Sequence, residues 1–551
     1  MASFDSYFSQ KNIISELIKI RVNEAKKRND AYFYKKLNKY ARDPSDMYKI
    51  TGVESYMPPR RKWKRLSKKK RNRHPANTLQ KIEIEKTINF YLKKEDYQEE
   101  WKVNLINFIG DIKISALQQR YYNFKKPRVF GLPKRSNDKT ELRPISSYSL
   151  KDRVIINLTS KYFQDTLDQL YESTSYAFRS SKYNAITPTH HHIIDDIISF
   201  RCETSGNLYV AEIDIQKFFD TISHAIAKDS IKILTNELNS KGIVVDARAI
   251  HFFKSYLKSY SFYQSAKLPL EKRNPGYTVP WPIKELKSIH ENIFEKNIGV
   301  PQGGALSPVI ANIVLHRIDT KIEQFVSDGQ LFYARYCDDM IVLSTNRENL
   351  LNVLHKYLDV LKSLKLLPHS PKEIGEYSSE FYSMKSKYPY LWKEPENKNE
   401  SRYISIVGYQ IRHDLKLRVK KDSVVRELKK QVEVADRVLH EVKRPGVNKS
   451  TKQILFRLTN KLLAMSVGKK NIYDGYELMP MCWASGFKKL KEYDHFKYQL
   501  KKLDRNRMRQ ISRIRRRLKD HNIKPVKPND EIKGVDYFGP PFSYGKQFKK
   551  E

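Results

Sequence analysis

The sequence predicts an α+β fold in which helical segments surround a small sheet. Three observations predict it: a mostly helical pattern over 76–205, strand-like segments alternating with helices over 206–411, and helical apolar spacing again beyond 412. The chain has 551 residues, 40% of them apolar, which is enough for about two or three domains with buried cores.

Composition favours a nucleic-acid partner. The formal net charge is +42, and a surplus of this size attracts polyanions; an anionic membrane surface is the second candidate. No run of about 18 apolar residues is present, as a spanning helix would require, and the first 19 residues lack the apolar core of a signal peptide. We therefore expect no membrane partner.

The cysteines give no sign of a disulfide framework or a zinc site. Cys202, Cys337 and Cys482 are far apart and form no CxxC pair. This usage fits a reducing compartment, so a cytoplasmic location is expected.

Residues 1–75 resemble a basic helical extension without a core of its own. The extension ends in two basic runs, 60–65 and 68–73. One interpretation is phosphate contact, with the aromatic ring stacking on a base; the other is a solvated or disordered run. The nucleic-acid-binding candidates here are Arg60, Arg61, Lys62 and Trp63.

Residues 412–524 are expected to form charged helices. The segment 501–517 is strongly basic, and its nucleic-acid-binding candidates are Arg513, Arg515, Arg516 and Arg517. The following stretch, 525–551, contains several prolines and is predicted to be irregular.

A pair of adjacent acids is the most informative feature of the chain. Asp338 and Asp339 lie between two β-prone runs, 333–336 and 340–343, which predicts a hairpin with both carboxylates at its turn. Taken alone, an Asp-Asp turn is ordinary turn chemistry. Adjacent like charges are better explained if a divalent cation binds there.

A third acid ends another predicted strand. Alternate apolar residues of 208–215 share one face, so Asp214 projects from the opposite face at the strand end. A helix cap or a surface acid is the alternative for Asp214, although Asp220 fits the capping role better. Two strand-borne acidic sites in one sheet can hold two Mg²⁺ ions about 3.5–4 Å apart for in-line phosphoryl transfer.

These residues occur within a series of motifs that resembles the reverse transcriptase family over about residues 125–411. The first catalytic motif resembles Asp214-Ile215-x-x-Phe218-Phe219-Asp220-x-Ile222-x-His224, the nucleotide-contact motif Gly299 to Pro308, and the family's YxDD box Tyr336-Cys337-Asp338-Asp339. Upstream, the finger motifs resemble Arg143-Pro144-Ile145, Asp152-Arg153 and Ser175 to Arg179. The motifs that close the palm are similar to Leu364-Lys365-Leu366 with Lys372, and to Val407-Gly408-Tyr409.

The resemblance implies a right-hand polymerase with an N-terminal extension (1–75), fingers (76–205), a palm (206–411), a helical thumb or C-terminal RNA-binding region (412–524) and a tail (525–551). It implies an RNA-directed DNA polymerase, a nucleotidyltransferase that binds two Mg²⁺ ions, with Mn²⁺ as a substitute. Asp214, Asp338 and Asp339 would be catalytic, and the metal-binding positions would be Asp214, Ile215, Asp338 and Asp339.

By the same resemblance, the incoming deoxynucleotide would contact Phe219, Gln302, Gly303, Arg143, Lys134 and Lys372. Phe219 would exclude the ribose 2′-hydroxyl, although a core position is the alternative. Surface solvation explains Arg143 or Lys134 equally well when either is taken separately. Lys372 would donate a proton to the leaving pyrophosphate.

Two further features bear on the subclass. The finger and palm motifs resemble the bacterial, group II intron-like branch, and the C-terminal region resembles the defence-associated, abortive-infection-related enzymes through Trp483, Phe487, Gln499, Leu500, Leu503 and Asp504. This implies a noncoding RNA template, a cDNA product, antiviral defence against phage and a homo-oligomer. A non-catalytic, maturase-like RNA-binding protein and an RNA-templated RNA polymerase are the alternatives.

Two motif positions also have local structural meaning. Ser307 followed by Pro308 predicts a helix start with a capping hydroxyl, and the four-residue spacing from Ile310 to Ile322 predicts a buried stripe. Gly303 and Gly304 would let the backbone approach a ligand closely.

Overall fold

The computed structural model describes residues 3–41, 52–67, 70, 74, 76–118, 122–134, 140–180, 187–326, 330–372, 379–393, 403–447, 449–467, 482–520 and 543–548. The described chain divides into two compact units. The first comprises Met1–Leu17 with Val103–Arg402, and the second comprises Ile18–Lys102 with Tyr403–Glu551.

The helices, in chain order, are α1 Phe4–Tyr7, α2 Gln10–Lys35, α3 Ala76–Leu92, α4 Glu100–Lys113, α5 Leu150–Leu167, α6 His190–Glu203, α7 Phe218–Thr221, α8 His224–Ser240, α9 Ala247–Lys258, α10 Leu268–Arg273, α11 Ile283–Ile289, α12 Ser307–Val326, α13 Arg347–Ser363, α14 Ser379–Ser383, α15 Lys421–Lys443, α16 Thr451–Val467, α17 Trp483–Gly486, α18 Lys497–Asp520 and α19 Ser543–Gln547. The strands are β1 Arg128–Pro133, β2 Leu142–Ser147, β3 Leu208–Asp214, β4 Leu331–Tyr336, β5 Asp339–Ser344, β6 Lys387–Trp392, β7 Tyr403–Ile406, β8 Tyr409–Arg412 and β9 Leu417–Val419.

A four-stranded antiparallel sheet in the order β4-β5-β3-β6 organises the first unit. β3 is central and buried on both faces along most of its length, as expected for a strand covered on each side. Helix α13 packs on β3 and β5, and α12 packs on α13 and β4. The alternation of strands and helices predicted for this part of the chain is confirmed.

The first unit also contains a two-stranded hairpin that differs from the prediction. The pattern over 76–205 predicted mostly helices, but β1 and β2 pair within this region, with Gly131 opposite Pro144. A Cβ at Gly131 would lie 2.6 Å from Leu142 Cδ1, so the small residue lets the two strands close.

Helix α5 follows this hairpin because Ser149 caps it. The Ser149 hydroxyl accepts a hydrogen bond from the Asp152 backbone N–H at 3.2 Å and donates to the Asp152 carboxylate at 2.9 Å. The aromatic side chains of α1 pack on this helix, with the rings of Phe4 and Tyr162 5.0 Å apart. The first residues of the chain therefore contribute to the core of the first unit.

The second unit is largely helical, as predicted for the region beyond 412. Helices α15, α16 and α18 share a core with Tyr34, near the end of α2, and with Leu37, just after it. The core residues on the three helices include Ala435, Val438, Ile454, Leu458, Ile511 and Ile514.

A separate three-stranded sheet, in the order β7-β8-β9, also lies in the second unit. β7 and β8 are joined by a two-residue turn in which Val407 and Gly408 have φ values of 44° and 87°. Positive φ at both central residues is typical of the type I′ hairpin turn, which explains the glycine at the second position.

The chain's C-terminal residues enter the second unit. Residues 521–542 lie outside the described residues, but α19 forms a helix where an irregular tail was predicted. Tyr544 is completely buried, its hydroxyl donates to Glu427 Oε1 at 2.6 Å, and its N–H donates to Asp504 Oδ1 at 3.1 Å. These buried hydrogen bonds stabilise the helix. The prolines of 525–551, on which the prediction of an irregular tail was based, give no information about such contacts.

No helix among the described residues is long and apolar enough to cross a membrane. Cys202, Cys337 and Cys482 all lie in the described part of the chain, and each is a free thiol.

Candidate active site

The predicted carboxylate hairpin is confirmed. β4 and β5 are joined by Cys337 and Asp338, and the last pair of the ladder is Tyr336 opposite Asp339. Cys337 has a φ of 61°, the region needed at the first position of a type II′ hairpin turn and normally taken by glycine. The turn therefore holds a non-glycine residue in an unfavourable conformation directly before Asp338.

The third acid lies directly across the sheet from this turn. Asp214 is the last residue of β3 and is the Cα partner of Asp339 at the end of the β3–β5 ladder. Asp214, Asp338 and Asp339 are thus brought to one end of two neighbouring strands, although more than 120 residues separate Asp214 from the other two along the chain. This is the arrangement that the sequence predicted.

The electrostatics of the site reflect this crowding. The side chain of Asp339 is exposed, whereas Asp338 is partly buried. Burial raises the pKa of the Asp338 carboxyl, and the negative charge of Asp214 raises it further. An excess of negative charge is therefore concentrated here.

Two cationic or titratable side chains that the sequence did not single out approach Asp214. Lys385, just before β6, forms an ion pair with Asp214 Oδ2, and His369 Nε2 lies 3.9 Å from the same oxygen. Their neighbourhood follows from the β3–β6 pairing and from the hydrogen bond of the His369 N–H to the Asp214 carbonyl at 2.9 Å. Lys385 and Asp214 are 171 residues apart, so no local sequence pattern indicates that they are in contact.

Lys372, predicted to donate a proton to the leaving pyrophosphate, lies beside Glu380 and, unlike Lys385, forms no ion pair with Asp214. Its side chain is 67% exposed, and its Nζ is 3.7 Å from Glu380 Oε1. Ile215 is buried and forms a main-chain bridge with Pro368, so only its backbone could serve as a ligand.

A second group of site residues gathers around Asp220. The capping role predicted for this residue is wrong: Asp220 lies inside α7, and its carboxylate accepts a hydrogen bond from Gln302 Nε2 at 2.7 Å. Burial raises the Asp220 pKa to about 6, while the charges of Lys217, Arg143 and Lys134 act in the opposite direction. The structure thus brings Gln302, Arg143 and Lys134 together around one carboxylate.

Lys217 is a member of this group that the sequence did not identify. It stands between Asp214 and Phe219 in the turn that follows β3, with a φ of 49°. Burial and the neighbouring charge of Lys134 lower its pKa to about 8. Lys134, Arg143 and Lys217 all act electrostatically on Asp220, although Lys134 Nζ also lies 3.5 Å from Glu141 Oε2. Three cationic side chains in one neighbourhood are suited to an anion of several charges.

The loop that carries Gln302 is fixed from both sides. Gly299 and Val300 donate their N–H groups to the carbonyls of Ile222 and Phe219 at 2.8 and 2.7 Å, and the Gln302 carbonyl accepts from the Ser146 N–H at 2.8 Å. Gly303 has a φ of 92°. The loop is therefore held in register with both β2 and the segment after β3.

Tight packing explains the second glycine of this loop. A Cβ at Gly304 would lie 1.9 Å from the Tyr256 hydroxyl, so no other residue fits without displacing the buried Tyr256 side chain. The predicted helix start at Ser307 and the buried stripe at Ile310, Val314, Ile318 and Ile322 are confirmed. The Ser307 hydroxyl, however, donates to the Pro301 carbonyl at 2.7 Å instead of capping the helix.

Phe218 and Phe219 have different environments, which bears on the role of Phe219. Phe218 is 2% exposed, whereas Phe219 is only partly buried. Phe218 is thus the core residue of the pair, and Phe219 remains available at the surface of the site.

The basic N-terminal candidates are partly engaged in local contacts. Lys62 forms an ion pair with Glu99, and the Trp63 indole N–H donates to the Pro58 carbonyl at 3.0 Å while the Arg21 guanidinium lies 5.1 Å from its ring. Arg60 and Arg61 are exposed. Most of the second basic run, 68–73, lies outside the described residues.

Helix α18 carries the C-terminal candidates on different faces. Arg515, Arg516 and Arg517 are exposed, and Arg513 Nη2 lies 2.5 Å from Asp436 Oδ1. At 3.6 residues per turn, Arg516 lies on one face with basic residues from other parts of the helix. That face carries Tyr498, Lys501, Lys502, Arg505, Arg509, Arg516 and Lys519, all exposed.

The buried Asp220 gives a testable pH dependence. Its folded-state pKa is about 6 against an ordinary value of 3.8, so protonation stabilises the folded state at low pH and this contribution is lost as pH rises through 6. Asp220→Asn lacks this titration. From about pH 4 to about pH 7, wild type should lose about 2–3 kcal/mol of unfolding free energy relative to the variant.

Denaturant unfolding of both proteins across this pH range measures the difference. The exposed Asp359→Asn on α13 is the control and should follow wild type at every pH. If the difference in unfolding free energy between Asp220→Asn and wild type is the same at every pH, folding does not raise the pKa of Asp220.

Comparison with known proteins agrees with this geometry. Residues 132–373 match the family model for reverse transcriptase (RNA-dependent DNA polymerase). An intron 1 protein of COX1/OXI3 from Saccharomyces cerevisiae is 24% identical over 206 residues, covering 37% of this chain and 19% of that protein. A 91 kDa protein in the cob intron of Schizosaccharomyces pombe is 24% identical over 216 residues, covering 39% of this chain and 21% of that protein.

The chain thus matches only about a fifth of the length of these two relatives. Among solved structures, apo telomerase from Candida tropicalis is similar with a TM-score of 0.37 and 14% identity, covering 74% of this chain and 66% of that chain. The family match and the four-stranded sheet confirm the predicted α+β polymerase fold. The chain therefore carries a reverse transcriptase domain across residues 132–373.

Proposed function

We propose that the protein is an RNA-directed DNA polymerase that extends a primer 3′-hydroxyl with deoxynucleotides and makes cDNA from an RNA template. The observation that carries the proposal is the meeting of Asp214, Asp338 and Asp339 at one end of β3 and β5. Three carboxylates on two strands suit in-line nucleotidyl transfer with divalent cations.

The donor set fits Mg²⁺. All three side chains offer hard oxygen ligands. Burial raises the pKa of Asp338 and the charge of Asp214 raises it further, and a bound cation would favour the ionised carboxylate. Within the described residues no three His, Cys, Asp or Glu side chains already form a closed metal cluster, so the ligands would have to draw together on binding. Asp214, Asp338, Asp339 and the backbone of Ile215 would hold two Mg²⁺ ions, or Mn²⁺ in their place.

When bound, these ions would activate the primer hydroxyl and stabilise the leaving pyrophosphate. Lys134, Arg143 and Lys217 would bind the triphosphate through charge-assisted hydrogen bonds. Gln302 and Gly303 would border the sugar and phosphates, and Phe219 would exclude the ribose 2′-hydroxyl. Lys385 is better situated than Lys372 to meet the leaving group, since it already contacts Asp214.

RNA binding is supported by the face of α18 defined above. Lys501, Lys502, Arg505, Arg509, Arg516 and Lys519 have no hydrogen-bond or ion-pair partner within the described residues. They lie within an arc of about 100° and extend over about 27 Å of helix, which suits contact with a run of phosphates. We call these six residues the α18 basic stripe.

The stripe gives a prediction for RNA affinity. Replacing Arg505 and Arg509 by Gln should remove two phosphate contacts and reduce the magnitude of the slope of log affinity against log salt by roughly 1.4 for a single-stranded RNA. Filter binding of a single-stranded RNA over a salt series measures this slope.

Arg513→Gln combined with Arg517→Gln is the control, because it removes the same charge from outside the arc. It should leave the slope nearly unchanged. If both double variants lower the slope equally, binding depends on overall charge and not on the stripe.

We further propose a noncoding RNA as the natural template, a role in antiviral defence, a cytoplasmic location and a homo-oligomer, on the resemblance of the C-terminal region to defence-associated enzymes. Sequencing the nucleic acid that co-purifies with the protein tests this. A defined RNA together with complementary DNA supports the proposal, and bulk cellular RNA without DNA argues against it.

A non-catalytic RNA-binding role on the same scaffold is the second candidate, favoured by the intron location of the two yeast relatives. Against it, all three carboxylates are present, and the ionised form of Asp338 is opposed by burial and by the charge of Asp214 unless a cation binds.

A further inference from the structure

Arg335 occupies an unusual position two residues before the Cys337–Asp338 turn. Its side chain is fully buried, with none of its surface exposed, although a guanidinium is always charged. A buried arginine is stable only if its charge is paired and its donors are satisfied. Both conditions are met here in full.

Each of the five N–H donors of Arg335 has an acceptor. Nε and Nη2 donate to the carboxylate of Asp319, itself completely buried, at 2.8 and 2.5 Å. Nη2 also donates to Ser175 Oγ at 2.7 Å, and Nη1 donates to Asn312 Oδ1 at 3.3 Å and to the Cys337 carbonyl at 2.9 Å. The guanidinium therefore links α12, which carries Asn312 and Asp319, to the catalytic turn.

The hydrogen bond from Arg335 to the Cys337 carbonyl orients the whole peptide unit between Cys337 and Asp338. This carbonyl belongs to the peptide unit that ends in the nitrogen of Asp338, and that unit is planar. Fixing the oxygen fixes the plane, and the plane limits the direction in which the Asp338 side chain leaves the backbone. The same bond holds Cys337 at its positive φ, where no glycine relieves the conformation.

We propose that Arg335 is a positioning residue for Asp338: through the Cys337 carbonyl it aligns the catalytic turn, with Asp319 and Asn312 on α12 as its anchor. The inference rests on the proposed polymerase function for its kinetic consequence. Its structural part, the alignment of a carboxylate for cation binding, does not depend on turnover. Lysine cannot replace it, because one ammonium offers three donors and lacks the planar fork that reaches all these acceptors together.

The test compares Arg335→Lys with Arg179→Lys in the full-length protein. Arg179 is an internal control of the same type: it is buried, its Nε donates to Asp168 Oδ1 at 2.8 Å, and it donates to backbone carbonyls, but no hydrogen bond joins it to the 337–338 turn. Both variants lose a buried fork and should lose similar thermal stability. Only Arg335→Lys should disturb the turn.

For Arg335→Lys we expect kcat for nucleotide addition to fall at least about tenfold, with KM for the deoxynucleotide within about twofold of wild type, because a small misplacement of a reacting group affects turnover before ground-state binding. Mn²⁺ affinity, measured from free Mn²⁺ by electron paramagnetic resonance, should fall in parallel. Arg179→Lys should keep wild-type kcat and Mn²⁺ affinity.

Wild-type kcat and Mn²⁺ affinity in Arg335→Lys, or equal losses in Arg179→Lys, would overturn the inference. If Arg335→Lys does not fold, Asn312→Ala replaces it, since Asn312 is an anchor on α12 and accepts from the same Nη1 that donates to the Cys337 carbonyl; wild-type values in that variant would likewise overturn the inference. A wild-type protein that binds Mn²⁺ but adds no nucleotide would refute the proposed function, while the Mn²⁺ comparison would still decide the role of Arg335.

Discussion

Asp338→Asn is expected to abolish Mg²⁺-dependent nucleotide addition, with kcat at least about 10³-fold below wild type, equivalent to about 4 kcal/mol of transition-state stabilisation. The amide keeps the size of the side chain but removes a charge that would bind the cation. Template-directed incorporation by the purified protein, with RNA binding measured in parallel, provides the readout.

Loss of folding cannot account for this expected defect. Burial and Asp214 both raise the pKa of Asp338, so a neutral side chain relieves repulsion and should leave the melting temperature unchanged or higher. RNA binding should persist, because it is expected to depend on basic side chains and not on the Asp338 carboxylate. The control Asp359→Asn should retain activity, and full synthesis by Asp338→Asn would remove this residue from the catalytic set.

Phe219→Ala is expected to weaken discrimination against ribonucleotides by roughly 10–100-fold, because it removes the bulk that would clash with the 2′-hydroxyl. The Phe219 carbonyl accepts the Val300 N–H at 2.7 Å, a backbone bond that the substitution keeps. The ratio of kcat/KM for deoxynucleotide over ribonucleotide is the quantity to measure.

Phe218→Ala provides the contrast at the neighbouring position. Phe218 is 2% exposed, so truncation should cost about 3–5 kcal/mol of stability. If Phe219→Ala instead loses stability to that extent and keeps its discrimination, Phe219 is a core residue. Efficient ribonucleotide use by the wild type would favour an RNA-templated RNA polymerase.

The parts of the site that the sequence predicted are those with local signals. Two apolar runs around Asp338 and Asp339 predict a hairpin because both strands and the turn lie within about a dozen consecutive residues. Likewise, Ser307 and Pro308 predict a helix start from their own chemistry. Asp214 was predicted to join Asp338 and Asp339 because acids at the ends of two strands of one sheet can bind a pair of Mg²⁺ ions.

What the sequence did not predict depends on contacts between distant segments. Lys385 contacts Asp214 because β6 pairs with the edge of β3 opposite β5. The register of this pairing shifts between Val210 and Glu212. The carboxylate of Asp220 accepts a hydrogen bond from Gln302, 82 residues away in the sequence. This long-range contact has no local signal, and the predicted capping role was therefore wrong. Gly131, Pro133 and Pro144 are breaker residues, but breakers alone do not distinguish a hairpin from a loop between helices.

The central claim is that the carboxylates at the ends of β3 and β5 support RNA-templated DNA synthesis. The most direct measurement is primer extension by the purified wild-type protein on poly(rA) annealed to oligo(dT), and on its co-purifying RNA, with Mg²⁺ or Mn²⁺. We predict incorporation of the complementary deoxynucleotide that requires both template and metal ion. No incorporation on either template with either ion, by protein that still binds RNA, would contradict the claim.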